Sequence, residues 1–258
     1  MNILTIDLED WFHSYNFSRF IRFEGWDNQE CRIVNNTKKI LNILDSHNTK
    51  ATFFVLGWVA DKFPSLVREI KEKDHEIACH GYSHKPIFLM NPEEFSKDLD
   101  KSVKAIKKAS GVKPIGYRAP SFSIVKKTLW ALNILKEKGF KYDSSMMPVS
   151  KHPDYGIKGI PRKPFKIKGL LEIPMTTTYG LPIGGGYFRI YPYLLTKHLI
   201  KKKNTIFYIH PWEFDPKMPR HKLTFTKRFR HYTGLNRTEK KFNKLLRDFR
   251  FCRINDIL

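Results

Sequence analysis

Cysteine is scarce in this chain, and the three present, Cys31, Cys79 and Cys252 in 258 residues, show no CxxC spacing. An odd, scattered set of this kind builds neither a disulfide framework nor a cysteine zinc site. Long apolar runs are also missing. No window approaches the roughly 18 uninterrupted apolar residues of a membrane-spanning helix. The opening MNILTIDLED lacks a basic stretch followed by a long apolar one, so no signal peptide is expected in it. Acids are few, 25 against 47 lysines and arginines, for a formal net charge of +22. That imbalance calls for an anionic partner: nucleic acid, a membrane surface, or a phosphorylated or acidic glycan. Repeats, low-complexity linkers and a clear second domain are absent, so residues 1–258 read as one domain. Apolar and aromatic residues are plentiful. At 41% and 14% they argue against disorder and allow a substantial core at this length. The expected setting is the cytoplasm, with peripheral contact at the inner face of an anionic membrane.

Strand and helix signals alternate along the first 143 residues. NILTID (Asn2 to Asp7), ATFFVLG from Ala51, His75 to Cys79, Lys113 to Arg118 and Phe140 to Asp143 read as strands. Between them lie helical patterns at Asn35 to Asn48, with an asparagine cap, at Pro64 to Lys73, at Asn91 to Ser110 and at Lys126 to Lys138. Such alternation calls for parallel strands with helical crossovers, hence an α/β barrel or open sheet. Residues 146–193 are rich in proline and glycine and read as a loop-rich insertion with a short strand at Leu171 to Pro174. A helix at Pro192 to Lys202, a strand at Thr205 to Ile209 and a helix at Thr238 to Phe249 follow, with a basic C-terminal extension over 214–258.

In parallel α/β architectures reactive groups gather at the carboxyl ends of strands. Here those ends carry Asp7, Glu9 and Asp10, then His80 and His84, then Arg118, Asp143 and His210. Any one of these could be a surface charge or a structural ion pair, and a chance histidine pair is common among ten histidines. Five successive ends with ionisable groups exceed what a solvated rim needs. His80 and His84, four apart, can meet on one side of a helical turn. Two imidazoles and a carboxylate supply three protein ligands and leave a position open, as catalytic zinc sites do. A second carboxylate can serve as general base, and His210 can hand a proton to a leaving amine. The set describes metal-assisted hydrolysis of an amide or ester.

The order of these segments resembles the polysaccharide deacetylases, the NodB-homology group of carbohydrate esterase family four. TIDLED (Thr5 to Asp10) resembles the first motif, HGYSH (His80 to His84) the second and YRAP (Tyr117 to Pro120) the third. YDSS (Tyr142 to Ser145) stands in the place of the fourth and YIHP (Tyr208 to Pro211) in that of the fifth. DLEDWFH, GGGYFRIYPY and HPWEFDP further resemble a subgroup associated with exopolysaccharide and surface-glycan gene clusters. The resemblance implies a distorted (β/α) barrel of about seven parallel strands. It implies removal of acetyl from N-acetyl-hexosamine units with a divalent metal ion, zinc first. Asp7 matches the general base and Arg118 the arginine that holds it. His80 and His84 match metal ligands, His210 the general acid and Asp143 the carboxylate that orients it. The expected partner is an N-acetylated sugar or glycan, lipid- or phosphate-linked, rather than nucleic acid. The rival readings are another C–N hydrolase on the same scaffold, a deformylase or cyclic-amide hydrolase, and a non-catalytic basic binding protein.

Two departures stand out. Leu8 follows Asp7 where the family has a second aspartate, so the carboxylate ligand is Glu9, on the same side of the strand as Asp7, with Asp10 as runner-up; a turn of the backbone at Leu8 reverses that preference. Ser144 and Ser145 replace the usual tryptophan of the fourth motif, altering the expected wall of the substrate groove. Trp11, Trp212 or Tyr187 could stack on a sugar instead. Alternation points Cys79 into the core. His13 and His221 read as surface or loop histidines. The triplet Gly184 to Gly186 reads as a flexible flap, with Arg189 reaching substrate.

Overall fold

A computed structural model describes residues 1–149, 155–201 and 204–258. They pack as two compact units, one made of Met1–Ala51 with Ile183–Leu258 and the other of Thr52–Pro182.

In the first unit the strand Asn2–Leu8 buries every residue after Asn2, which explains why it reads as a continuous apolar run rather than an alternating one. Ile206–Ile209 runs parallel to it, pairing Ile3 with Ile206 through Ile6 with Ile209. This register carries the next residues, Asp7 and then His210, off the same end of the pair. Phe251–Cys252 joins the other flank of the strand in parallel. Helices Ile33–Ser46 and Leu235–Asp248 bury Ile40, Leu41 and Leu44, and Phe242, Leu245 and Leu246. The opposite face of the second presents Arg237, Lys240, Lys244 and Arg247 to solvent, a large share of the basic tail. The helix expected at Pro192 to Lys202 is Tyr193–Lys201; Lys202 lies outside the described residues.

The second unit lines up Thr52–Val55, Glu76–Cys79, Gly116–Tyr117, Tyr142–Asp143 and Leu170–Glu172 as parallel strands, with Phe165–Ile167 antiparallel at the end. The register sets Cys79 beside Tyr117, Tyr117 beside Asp143 and Asp143 beside Glu172. His80, Arg118 and Asp143 therefore leave neighbouring strands at one end. Helix Pro92–Ser110 has the expected ends: Asn91 and Glu94 form a reciprocal capping box, Pro92 opens the first turn and Gly111 closes the last. The helix expected over Lys126 to Lys138 is shorter, Ala131–Glu137, after a separate 3-10 turn at Lys126–Thr128.

Two local expectations change. The first helix begins at Ile33, with Asn35 and Asn36 inside it, because its leading N–H groups are capped from elsewhere in the chain (below). The glycine triplet is no flap: Gly185–Ile190 is a helix, and Gly184, at φ 147°, lies so close to Tyr208 that a Cβ would meet its ring at 2.6 Å.

Candidate active site

The strand end of the first unit holds three buried carboxylates, Asp7, Glu9 and Asp10, and the half-buried His210. Past Leu8 the chain turns, with Glu9 N–H donating to the Asp7 carbonyl at 2.9 Å. His210 Nε2 lies 3.8 Å from Asp7 Oδ2 and 3.9 Å from Glu9 Oε1. A donor atom of each of the three side chains falls within 4.8 Å of the other two, a set that can hold a cation. Glu9 lies beyond the strand, so the turn at Leu8, and not the expected alternation, brings it beside Asp7.

Asp10 points elsewhere. Its Oδ1 accepts the Trp11 N–H at 2.8 Å, and its Oδ2 accepts the N–H groups of Arg32 at 2.6 Å and Ile33 at 2.9 Å. It is the tertiary cap of helix Ile33–Ser46. Burial pushes its carboxyl up to about 6 against the pull of these three donors. With its lone pairs committed to backbone, Asp10 is structural, and Glu9 is the carboxylate left at the site. His13 is part of the same arrangement: it is buried, and its Nδ1 accepts the Asp10 N–H at 3.0 Å. The expectation of a surface or loop histidine was wrong there; His221 does lie in a loop, half-buried and stacked on Trp11.

His210 is gripped from behind. Pro211–Phe214 is a 3-10 turn with His210 as its cap, which brings Glu213 Oε1 to 2.8 Å from His210 Nδ1. Arg189 Nε donates to the other Glu213 oxygen at 2.5 Å, while its remaining nitrogens donate to the carbonyls of Thr233 and Arg230. Glu213 and Arg189 are both buried. Burial would raise the Glu213 carboxyl, but Arg189 and His210 hold it below the usual range. Burial likewise favours neutral His210, yet Glu9, Glu213 and Asp7 outweigh it and lift the imidazolium to about 9. The carboxylate on the His210 ring is therefore Glu213, where the sequence reading named Asp143. Arg189 serves Glu213 rather than reaching for substrate. The signal was present in HPWEF, since a proline after the cap and a glutamate three residues on form a capping box.

Trp212 is sandwiched, with the His210 ring 5.2 Å away on one face and the His231 ring 4.5 Å away on the other. Trp11 is buried as well. Neither offers a free face to a sugar. Of the three aromatic candidates only Tyr187 keeps partial exposure.

In the second unit His80 and His84 leave the strand Glu76–Cys79 on a loop, not on a helical turn. His84 has φ 50°, in the left-handed region that side chains seldom adopt, and strain of this kind gathers at functional sites. The rings come within 5.2 Å, centroid to centroid. Asp98, unnoticed in the sequence, pins the loop by accepting the N–H groups of Tyr82 at 2.8 Å and Ser83 at 3.3 Å and the Ser83 hydroxyl at 2.9 Å. His80 Nδ1 sits 2.8 Å from the Arg118 carbonyl, which fixes a proton on Nδ1 and leaves the Nε2 lone pair for a ligand role.

Arg118 is buried with its guanidinium 4.0 Å from the Phe54 ring, and it donates to the Ser144 carbonyl at 3.0 Å and hydroxyl at 3.1 Å. Asp143 accepts the Ser145 hydroxyl at 2.5 Å and stands beside Glu172 in the strand register. Burial, then the Asp143 charge, drives the Glu172 carboxyl far up. Ser144 and Ser145 are fully buried ties rather than groove wall: Ser145 Oγ accepts the Ala119 N–H at 2.7 Å, and Ser144 Oγ donates to the Ile173 carbonyl at 2.9 Å. Cys79 is a buried thiol pushed up to about 12 by burial, a core residue as expected and no ligand.

Residues 24–142 match the family described as polysaccharide deacetylase, and residues 144–258 match a domain of unknown function. A peptidoglycan-N-acetylglucosamine deacetylase of Bacillus cereus is 38% identical over 96 residues, 37% of this chain and 35% of that protein. A peptidoglycan deacetylase of Helicobacter pylori is 34% identical over 111 residues, 42% of this chain and 36% of that protein. The chain spans about a third of the length of the curated relatives it matches. Among solved structures, a candidate polysaccharide deacetylase of Mycobacterium smegmatis aligns over 99% of this chain and 89% of its own, with 19% identity and a TM-score of 0.63. A family pseudoenzyme of Bacillus anthracis aligns over 99% of this chain and 64% of its own, with 16% identity and a TM-score of 0.53. These likenesses show the expected α/β, NodB-type fold. Because one of them is to a pseudoenzyme, any activity has to be argued from the side chains of this chain.

Proposed function

We propose that the whole chain, whose residues 24–142 match the polysaccharide deacetylase family, is a metal-dependent N-deacetylase of amino-sugar units in a surface glycan or glycan precursor. The observation that carries this reading is the pairing, 3.8 Å apart, of a buried carboxylate and a charged histidine at the ends of two register-locked strands. Both lie outside the segment matched to the family, so their roles rest on their own geometry and on the motif order.

Asp7 is the general base and His210 is the general acid. Glu213 orients the His210 ring and, with Arg189 behind it, stabilises the imidazolium that must give up the proton. Asp143, beside Glu172, supports the arginine by its charge. His80 and His84 are imidazole ligands, and Glu9 is the carboxylate that the first motif offers. The donors suit a divalent ion, zinc first: neutral imidazole with its tautomer fixed by a backbone carbonyl, plus carboxylate. Such an ion, when bound, supplies Lewis acidity toward a water and the acetamide carbonyl. Asp7 then takes the proton of the attacking water, and His210 delivers one to the leaving amine nitrogen.

The test is a screen of N-acetylated amino sugars and oligomers for stoichiometric release of acetate and free amine. Formate release or ring opening without acetate supports the rival C–N hydrolases. No turnover in protein with a full complement of metal contradicts an enzymatic role.

A further inference from the structure

From Pro216 to Thr238 the sequence has seven lysines and arginines and no acid. Its centre is a helix, Phe225–Tyr232, that buries His231 and Tyr232 on its inner side. Phe225 and Phe229, one turn apart and therefore on one face, point outward with relative exposures of 83% and 51%. Between them opens a cavity of about 290 Å³ lined by Arg220, Phe225, Arg228, Phe229, Tyr232 and Thr233. Arg220 sits 5.3 Å over the Tyr232 ring, which sets the guanidinium at the cavity wall.

A solvated basic face explains the arginines but not the rings. Two phenylalanines facing water at one helical turn's spacing make an apolar patch set among cations. A soluble polyanion would satisfy the charge and leave the rings wet. A bilayer of anionic lipid satisfies both, since a short amphipathic helix lies in the interface with aromatics toward the acyl chains and cations at the headgroups. We infer that the 220–233 face docks on an anionic membrane, Phe225 and Phe229 entering the acyl boundary and Arg220 and Arg228 taking lipid phosphate in the cavity between them. This stands apart from the deacetylase reading, since none of these side chains belongs to the proposed machinery.

The test is co-sedimentation of the full chain with vesicles of equimolar phosphatidylglycerol and phosphatidylcholine, against phosphatidylcholine alone. Binding to the anionic vesicles only, weakened by added salt, is expected. The double variant Phe225→Ser/Phe229→Ser should bind at least about tenfold more weakly, and Arg220→Gln/Arg228→Gln should also bind less. Both pairs are at the surface, so an unchanged melting temperature shows that any loss is not unfolding. No binding, equal binding to neutral vesicles, or a serine variant that binds like the wild type overturns the proposal. Displacement of the chain from vesicles by single-stranded DNA, with DNA affinity untouched by the serine substitutions, also overturns it.

Discussion

At the scale of single residues, the two carboxylates after Leu8 separate by what each is bonded to. Asp10 spends its oxygens on three backbone N–H groups, while Glu9 faces His210. Asp10→Ala removes a cap and leaves buried donors unsatisfied, so a loss of about 2–4 kcal/mol in unfolding free energy is expected, with metal stoichiometry retained. Glu9→Gln should do the reverse, keeping the melting temperature and losing the metal. Chemical denaturation and metal analysis of both variants check the pair. Glu213 yields a pH prediction. His210 acts as an acid while protonated, and its folded-state value is raised from 6.5 to about 9, so protonation is held below that point and lost as pH rises through it. Glu213→Gln removes one of the carboxylates responsible. The alkaline limb of kcat should then move down by about one pH unit, with a loss of roughly 10²-fold in rate. A limb that stays in place would remove Glu213 from the acid's support.

At the scale of elements, sequence signals worked where a local rule decided the outcome and failed where a distant contact did. The ends of helix Pro92–Ser110 were legible because Asn91, Pro92, Glu94 and Gly111 act within one turn. The start of Ile33–Ser46 was not, because its cap is Asp10, more than twenty residues away. The His80–His84 pairing was right in outcome but wrong in cause: a loop pinned by Asp98 converges the rings, and i,i+4 spacing alone could not distinguish it from a helical turn. The helix Phe225–Tyr232 went unread because its phenylalanines sit at helical spacing but face outward. Its far end is bound into the site, since Arg189 holds the carbonyls of Arg230 and Thr233 as well as Glu213. Gly234, at φ 80°, follows so closely that a Cβ would sit 2.7 Å from the Arg189 carbonyl. Gly234→Ala should therefore lower the melting temperature and, by displacing Arg189, reduce activity further than the stability loss accounts for. His231 gives this element a pH response. Burial, reinforced by the Arg189 charge, lowers it from 6.5 to about 3, and its Nε2 has no partner. A depressed histidine contributes stability that is present above 6.5 and lost as pH falls toward 3. His231→Phe, which keeps a ring against Trp212, should flatten the fall in melting temperature between pH 6.5 and 4.

At the scale of the whole molecule, the +22 charge resolves into parts. Some of it is the solvated face of Leu235–Asp248, and some flanks the outward phenylalanines, where it has a proposed use. No helix among the described residues is long and apolar enough to cross a membrane. The fold class was legible from alternating strands and helices, and the reactive strand ends were legible because parallel sheets deliver them to one side. What stayed hidden was the support of those ends, Glu213, Arg189 and Asp98, since burial and partner choice emerge only when the chain is packed. The central claim is that Asp7 takes the proton in a metal-dependent deacetylation. The direct measurement is acetate release from an N-acetylated amino-sugar oligomer by metal-loaded wild type and Asp7→Asn, with metal content determined on the same samples. The account predicts bound metal in both and acetate from the wild type, with the variant slower by roughly 10²-fold or more. Full turnover by Asp7→Asn would contradict it.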